Sequence, residues 1–257
     1  MKLQNFVFAH EQRIILDMIA NKKFDILSNV TYLMLGSNDS DLLIGLPNVV
    51  IEKDYSKEEW CLCDYNRNMI AFTGWQVVKY ANLIDSDTDY VNLFEYDIKL
   101  SPNFEQVLID EINTNGVQVI GYIPLPITTD DYIKTEKYSK EIVDGIRAEY
   151  GIDMHQAIES IIKSTPDPVV SVTSCHTFKA SDFRGYMNFM QPLIKYVKDN
   201  RMSGHQTERS ISFWYIIMGK EFSIIPEILH HYQLDTHQTQ GIPQEKFDLS
   251  YQYVVKP

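Results

Sequence analysis

YVNLFEYDIKLSPNFEQVL, Tyr90 to Leu108, opens on an apolar run and breaks at two acids, Glu95 and Asp97. Tyr90 to Phe94 reads as a short buried strand. On extended backbone, residues two apart point the same way, so both carboxylates can face one ligand at the strand's carboxyl end. Mg²⁺ and Mn²⁺ favour such hard oxygen donors, one or two carboxylates completed by substrate phosphates. Two acids at a solvated strand tip need no ligand, and for E-x-D alone that plain reading stands beside the metal one.

Upstream, Asn5 to Ala9 (NFVFA), Val30 to Leu35 (VTYLML) and Asn48 to Glu52 (NVVIE) read as further strands. Glu11 to Asn21 repeats apolar residues at Ile14, Ile15, Met18 and Ile19, the stripe of an amphipathic helix. Asn66 to Leu83 carries a longer helical pattern. Strands alternating with helices predict an α/β fold, a mostly parallel sheet flanked by helices on both faces. Ligands collect at the carboxyl ends of such strands. The acids after Leu35 and after Phe94 both fall there. Further on, the pattern predicts a strand over Gly116 to Leu125, surface helices over Thr135 to Tyr150 and His155 to Lys163, and a strand over Pro166 to Thr173. Helices over Ala180 to Asn200 and Glu208 to Met218, a strand over Phe222 to Ile225 and a loop or lid after His237 complete the reading.

The 257 residues suit one large domain, and a hydrophobic fraction of 44% supports a substantial core. A net charge of -12, with no basic run longer than Asn21-Lys22-Lys23, argues against a nucleic-acid backbone as partner. Cys61, Cys63 and Cys175 are too few for a disulfide scaffold or a zinc site and read as small apolar residues in a reducing compartment. The sequence holds no apolar run of transmembrane length and no signal pattern, so a soluble, cytoplasmic protein is expected. Glycine-rich phosphate loops of the dinucleotide or P-loop kind are absent from it.

After Asp97 come Ile98, Leu100, Ser101, Pro102, Asn103 and Phe104. That order resembles the D-x-D segment of GT-A glycosyltransferases, especially the large inverting family that builds polysaccharides and glycoconjugates. NRNMIAFTGWQVVKYA (Asn66 to Ala81) is similar to the run that leads into the family's D-x-D strand, and LMLGSNDSDLL (Leu33 to Leu43) to its acidic loop after the second strand. Two departures stand out: Glu95 replaces the first Asp of D-x-D, and Gly36 stands near where an Asp would bind the base. GHQTERSISFWYIIMGKEFSIIPEILHHY (Gly204 to Tyr232) resembles the family's acidic motif at a helix start followed by a late histidine. The resemblance covers roughly Asn5 to Asn115 and Ser171 to His237.

It implies one GT-A-like (Rossmann-type) domain over 1–257, with a nucleotide-sugar-binding half at 1–115 and an acceptor-binding half at 116–257. It implies Mn²⁺ or Mg²⁺ on Asp97 and Glu95, completed by His231 or His237, and Glu208 as the catalytic base. Donor contacts would come from Ala9, His10, Asp39, Asp41, Asn66, Arg67, Glu95, Tyr96, Asp97 and Arg209, acceptor contacts from Ser174 and His176. The activity implied is transfer of a hexosyl or pentosyl group from a UDP- or GDP-linked sugar to a glycan or glycoconjugate hydroxyl, with inversion.

Plainer readings compete. Glu208 suits an ordinary helix first turn, and no single helix or strand face explains the spacing of His230, His231 and His237. An inactive GT-A-like carbohydrate-binding module fits the missing acid at Gly36. A metal-dependent nucleotidyltransferase or hydrolase would use the same acids.

Overall fold

The computed structural model describes residues 1–69, 71–126, 136–165, 168–171 and 173–231. Four parallel strands, β1 (Leu3–Ala9), β2 (Val30–Met34), β3 (Val49–Ile51) and β4 (Tyr90–Glu95), lie in the order β3-β2-β1-β4. Helix α1 (Gln12–Ala20) connects β1 to β2, burying Ile14, Ile15 and Met18 while Ile19 faces solvent. Side chains alternate across β1. Phe6 and Phe8 enter one apolar layer and Val7 and Ala9 the other, so the sheet is covered on both faces.

Between β3 and β4 the helical pattern is met by α2 (Asn66–Met69) and α3 (Ala71–Tyr80), on either side of a residue outside those described. Every residue from Ala71 to Val78 is buried. Gly74 permits that depth, because a Cβ there would stand 2.6 Å from the Phe8 ring.

The chain continues through β5 (Ile98–Leu100), α4 (Phe104–Asn115), β6 (Val119–Gly121), β7 (Pro124–Pro126), α5 (Glu136–Tyr150), α6 (Met154–Ser164), β8 (Val169–Ser171) and β9 (His176–Lys179). Then follow α7 (Ala180–Met190), α8 (Ile194–Val197), α9 (Ser203–Ile217), β10 (Phe222–Ile224) and β11 (Leu229–His231). Beyond β4 the main sheet adds β9, β6 and β10, making seven strands with β9 antiparallel to both neighbours. Two small ladders, β5 with β11 and β7 with β8, stand apart from it.

Several expectations are corrected. Gly116 to Leu125 is not one strand: β6 joins the main sheet while β7 leaves for β8, because Pro124 and Pro126 cannot donate to a central ladder. The helix expected over Ala180 to Asn200 is broken by a 3₁₀ turn at Gln191–Leu193, which contains Pro192. The helices α5 and α6 are not merely superficial, since Ile142, Val143, Ile146, Met154 and Ile158 are buried. Helix α9 begins at Ser203, which puts Glu208 in its second turn rather than at its start. The tail after His237 lies outside the described residues. No helix among the described residues is long and apolar enough to cross a membrane.

A buried polar rung fixes the register of the central strands. Asn92 on β4 donates to Asn5 Oδ1 on β1 at 2.6 Å, Thr177 on β9 donates to Asn92 Oδ1, and Tyr122 donates to Thr177. Asn5 in turn donates to Glu105 on α4 at 3.1 Å. All four rung side chains are fully buried and each is satisfied, which a one-residue slip would undo. Asn92→Leu should therefore cost about 3 kcal/mol in urea unfolding, because it strands two buried partners. A loss below about 1 kcal/mol would show that the rung does not hold the register.

Candidate functional site

The tip of β4 carries Glu95, and the turn through Tyr96 and Asp97 leads into β5. Antiparallel pairing of β11 with β5 sets His231 opposite Ile98. A histidine 136 positions beyond Glu95 thus arrives beside both acids. His231 Nε2 lies 2.9 Å from Glu95 Oε2 and 3.6 Å from Asp97 Oδ1. The side chains of Glu95, Asp97 and His231 are only 16%, 9% and 7% exposed. Ionisable groups so buried persist only when paired.

Burial pushes the Asp97 carboxyl up to about 6 against the pull of His231. Burial alone would lower His231, but its hydrogen bond to Glu95 and the charge of Asp97 prevail and raise it to about 9. Near neutral pH an imidazolium therefore sits between two acidic side chains. One oxygen of each acid and one ring nitrogen all lie within 4.8 Å of one another. Asp97 Oδ1 is buried without a hydrogen-bond partner. Two hard oxygens and an imidazole nitrogen at this spacing fit a divalent cation, so the group can hold a metal ion.

The turn is braced from three sides. The Glu95 N–H donates to the buried Cys175 sulfur at 3.4 Å. The His10 ring meets the Tyr96 ring edge-on, with centroids 5.5 Å apart. Lys23, in the turn after α1, donates from Nζ to the Tyr96 carbonyl. Burial pushes the Lys23 ammonium down to about 8, opposed by the charges of Asp97 and Asp17.

Glu208 belongs to the same neighbourhood. Ser174 donates to its Oε1 at 3.1 Å and His205 Nδ1 lies 3.7 Å from its Oε2. Its charge helps to raise His231 and the buried Cys175 thiol. Ser174 is itself buried, so it orients the Glu208 carboxylate. Arg209, the next residue, is half-buried. His176 lies inside β9, held neutral by burial that lowers it to about 3. His237 lies outside the described residues.

Among the residues expected to contact a donor, Ala9 is the buried last residue of β1, and the loop after β2 is stitched to it through His10. Asn38 donates to the His10 carbonyl at 2.8 Å, and Gln12 donates to Asp39 Oδ2 at 3.2 Å. Asp39 Oδ1 accepts from the Asp41 N–H at 3.2 Å. Asp39, Asp41 and Arg67 are exposed. Gly36 has φ +81°, and a Cβ on it would meet the Asn66 side chain at 3.3 Å. Its N–H donates to Glu52 Oε2 at 2.7 Å, and Thr73 donates to the same oxygen at 3.1 Å. Glu52 is 1% exposed, and burial pushes its carboxyl up to about 7 despite those two bonds.

Three residues escaped the sequence. Glu52 passed as the last residue of an apolar strand, and Lys23 as part of a short basic run. His205 shows its i, i+3 relation to Glu208 only once the start of α9 is placed.

The fold is that of GT-A glycosyltransferases. The bifunctional glycosyltransferase WbbM, in its apo form, superposes with a TM-score of 0.59 at 12% identity, covering 90% of this chain. This chain spans 45% of the WbbM chain. Mouse xyloside xylosyltransferase 1 (TM-score 0.46, 10% identity, 88% of this chain and 85% of that one) resembles it more loosely. So does the Saccharomyces cerevisiae mannosyltransferase Ktr4p in complex with GDP (0.44, 12%, 90% and 71%). No protein-family model matches the chain, and no curated protein sequence matches it.

Two measurements check these electrostatics. A ligating imidazole must be neutral, so Mn²⁺ held through His231 at pH 7.5 would displace about one proton, seen as a buffer-dependent enthalpy in calorimetry. A buffer-independent enthalpy would remove His231 from the ligand set. Glu52 has a folded pKa of about 7 against an ordinary 4.5, so the stability it contributes is full below 4.5 and lost as pH rises through 7. Glu52→Gln, which cannot ionise, should match the wild type at pH 4.5 and exceed it at pH 8 by on the order of 2 to 3 kcal/mol in denaturant unfolding.

Proposed function

We propose that this chain is a divalent-metal-dependent glycosyltransferase acting on a nucleotide-sugar donor, with a glycan or glycoconjugate hydroxyl as acceptor. The observation that carries the reading is the buried Glu95–Asp97–His231 group at the carboxyl end of a central parallel strand, with Glu208 close by. Carboxyl ends of such strands are where ligands bind in open α/β sheets.

In this reading Glu95, Asp97 and His231 hold Mn²⁺ or Mg²⁺. When bound, the ion neutralises charge that builds on the departing nucleoside diphosphate. Glu208 accepts the proton of the acceptor hydroxyl as its oxygen bonds to the anomeric carbon and the bond to the diphosphate breaks. Ser174 keeps Glu208 in position through its bond to Oε1. Attack from the face opposite the diphosphate gives inversion. Ala9, His10, Asp39, Asp41, Asn66, Arg67 and Tyr96, in the donor half at 1–115, contact a UDP- or GDP-linked hexose or pentose. Arg209 offers a cation to its phosphates. The half at 116–257 receives the acceptor.

Asp97→Ala should abolish Mn²⁺-dependent release of nucleoside diphosphate in a donor screen, in a protein that circular dichroism shows to be folded. Glu208→Gln should bind Mn²⁺ and donor normally yet transfer about 10²- to 10⁴-fold more slowly. Full activity in either variant would overturn its assignment. Sugar binding that ignores both nucleotide and metal would point instead to an inactive carbohydrate-binding module, the reading that Gly36 favours.

A further inference from the structure

We propose that Lys23 is a positioning residue for the Glu95–Tyr96–Asp97 turn, pinning the Tyr96 carbonyl so that Asp97 is aimed at the cation before the cation arrives. The proposal rests on the metal-dependent reading above.

Tyr96 stands between the two acids, and its carbonyl belongs to the peptide plane that ends at the Asp97 nitrogen. Holding that oxygen fixes the plane, and with it the direction in which Asp97 leaves the backbone. Lys23 Nζ supplies the hold. The side chain that does so is itself aimed by the backbone. Helix α1 closes with the Lys22 N–H on the Ile19 carbonyl at 3.2 Å and the Lys23 N–H on the Met18 carbonyl at 3.0 Å, a Schellman ending. Lys22 takes the left-handed position with φ +53°, where glycine or asparagine is usual. A lysine there costs roughly 1 kcal/mol, and the next side chain is directed at the turn. Lys23 then extends past the Phe24 ring, with Nζ 5.4 Å from its centroid, to reach the carbonyl largely out of water. Burying an ammonium is unfavourable, and the charges of Asp97 and Asp17 offset part of that cost here.

Positioning and charge predict opposite results, which makes the idea testable without a donor or an acceptor. Lys23 is a cation close to Asp97, so removing its charge alone should tighten cation binding. Removing a brace should weaken it, by about tenfold or more for residues that orient metal ligands. Mn²⁺ binding to the purified full chain would be read by electron paramagnetic resonance, alongside circular dichroism and melting temperature. Lys23→Met should bind Mn²⁺ about tenfold more weakly, and Lys23→Arg, which keeps a donor, should stay within about threefold of wild type. Should Lys23→Met fail to fold, Lys23→Arg against Lys23→Gln makes the same comparison, with Gln the weaker binder. A folded Met or Gln variant that binds Mn²⁺ as tightly as wild type, or more tightly, overturns the proposal. A wild-type protein that binds no Mn²⁺ overturns the metal-dependent reading itself, a result distinct from a brace that proves unnecessary.

Discussion

Three ionisable side chains, Glu95, Asp97 and His231, are buried together, and none would be tolerated there alone. Their mutual attraction ties the last described strand, β11, to the tip of the central strand β4 through the two-stranded ladder with β5. The same contact that closes the fold also builds the candidate metal site. The proton on His231 serves as the positive charge between the acids.

The rest of the site hangs from β9, the strand that runs against its neighbours. Its register is set by Thr177 in the buried rung with Asn92 and Asn5. Once that register is set, the residues just before the strand fall at the end of β4. Cys175 then accepts the Glu95 N–H, and Ser174 holds Glu208 on α9. Four residues of antiparallel strand thus join the interior hydrogen bonds to both halves of the cluster.

In the loop after β2 the chain departs in a coherent way from the D-x-D pattern that it resembles. An acid is missing at Gly36, yet a carboxylate reaches the Gly36 N–H from Glu52, at the end of the adjoining strand. That carboxylate faces the interior, so it organises the loop and is closed to a ligand. The loop's exposed acids, Asp39 and Asp41, are held against the end of β1 by Gln12 and Asn38.

What the sequence determined by itself is whatever depends on neighbours along the chain. The apolar runs ending at Ala9, Leu35 and Glu52 specify parallel strands, and the two-residue spacing of Glu95 and Asp97 at a strand end puts both acids at one tip. The stripe Ile14, Ile15, Met18 specifies α1, although solvent reaches Ile19. Tertiary structure alone decided the rest. HTFK (His176 to Lys179) has no strand signature that separates it from a loop, and only the gap between β4 and β6 makes it one. Of His230 and His231, pairing with β5 turns the second inward, a choice made 136 positions from its partner. Lys23, Glu52 and His205 acquire meaning only through contacts across the fold. Local pattern records which face of an element is apolar; which distant charge must be neutralised is an energy that exists only once the elements have met.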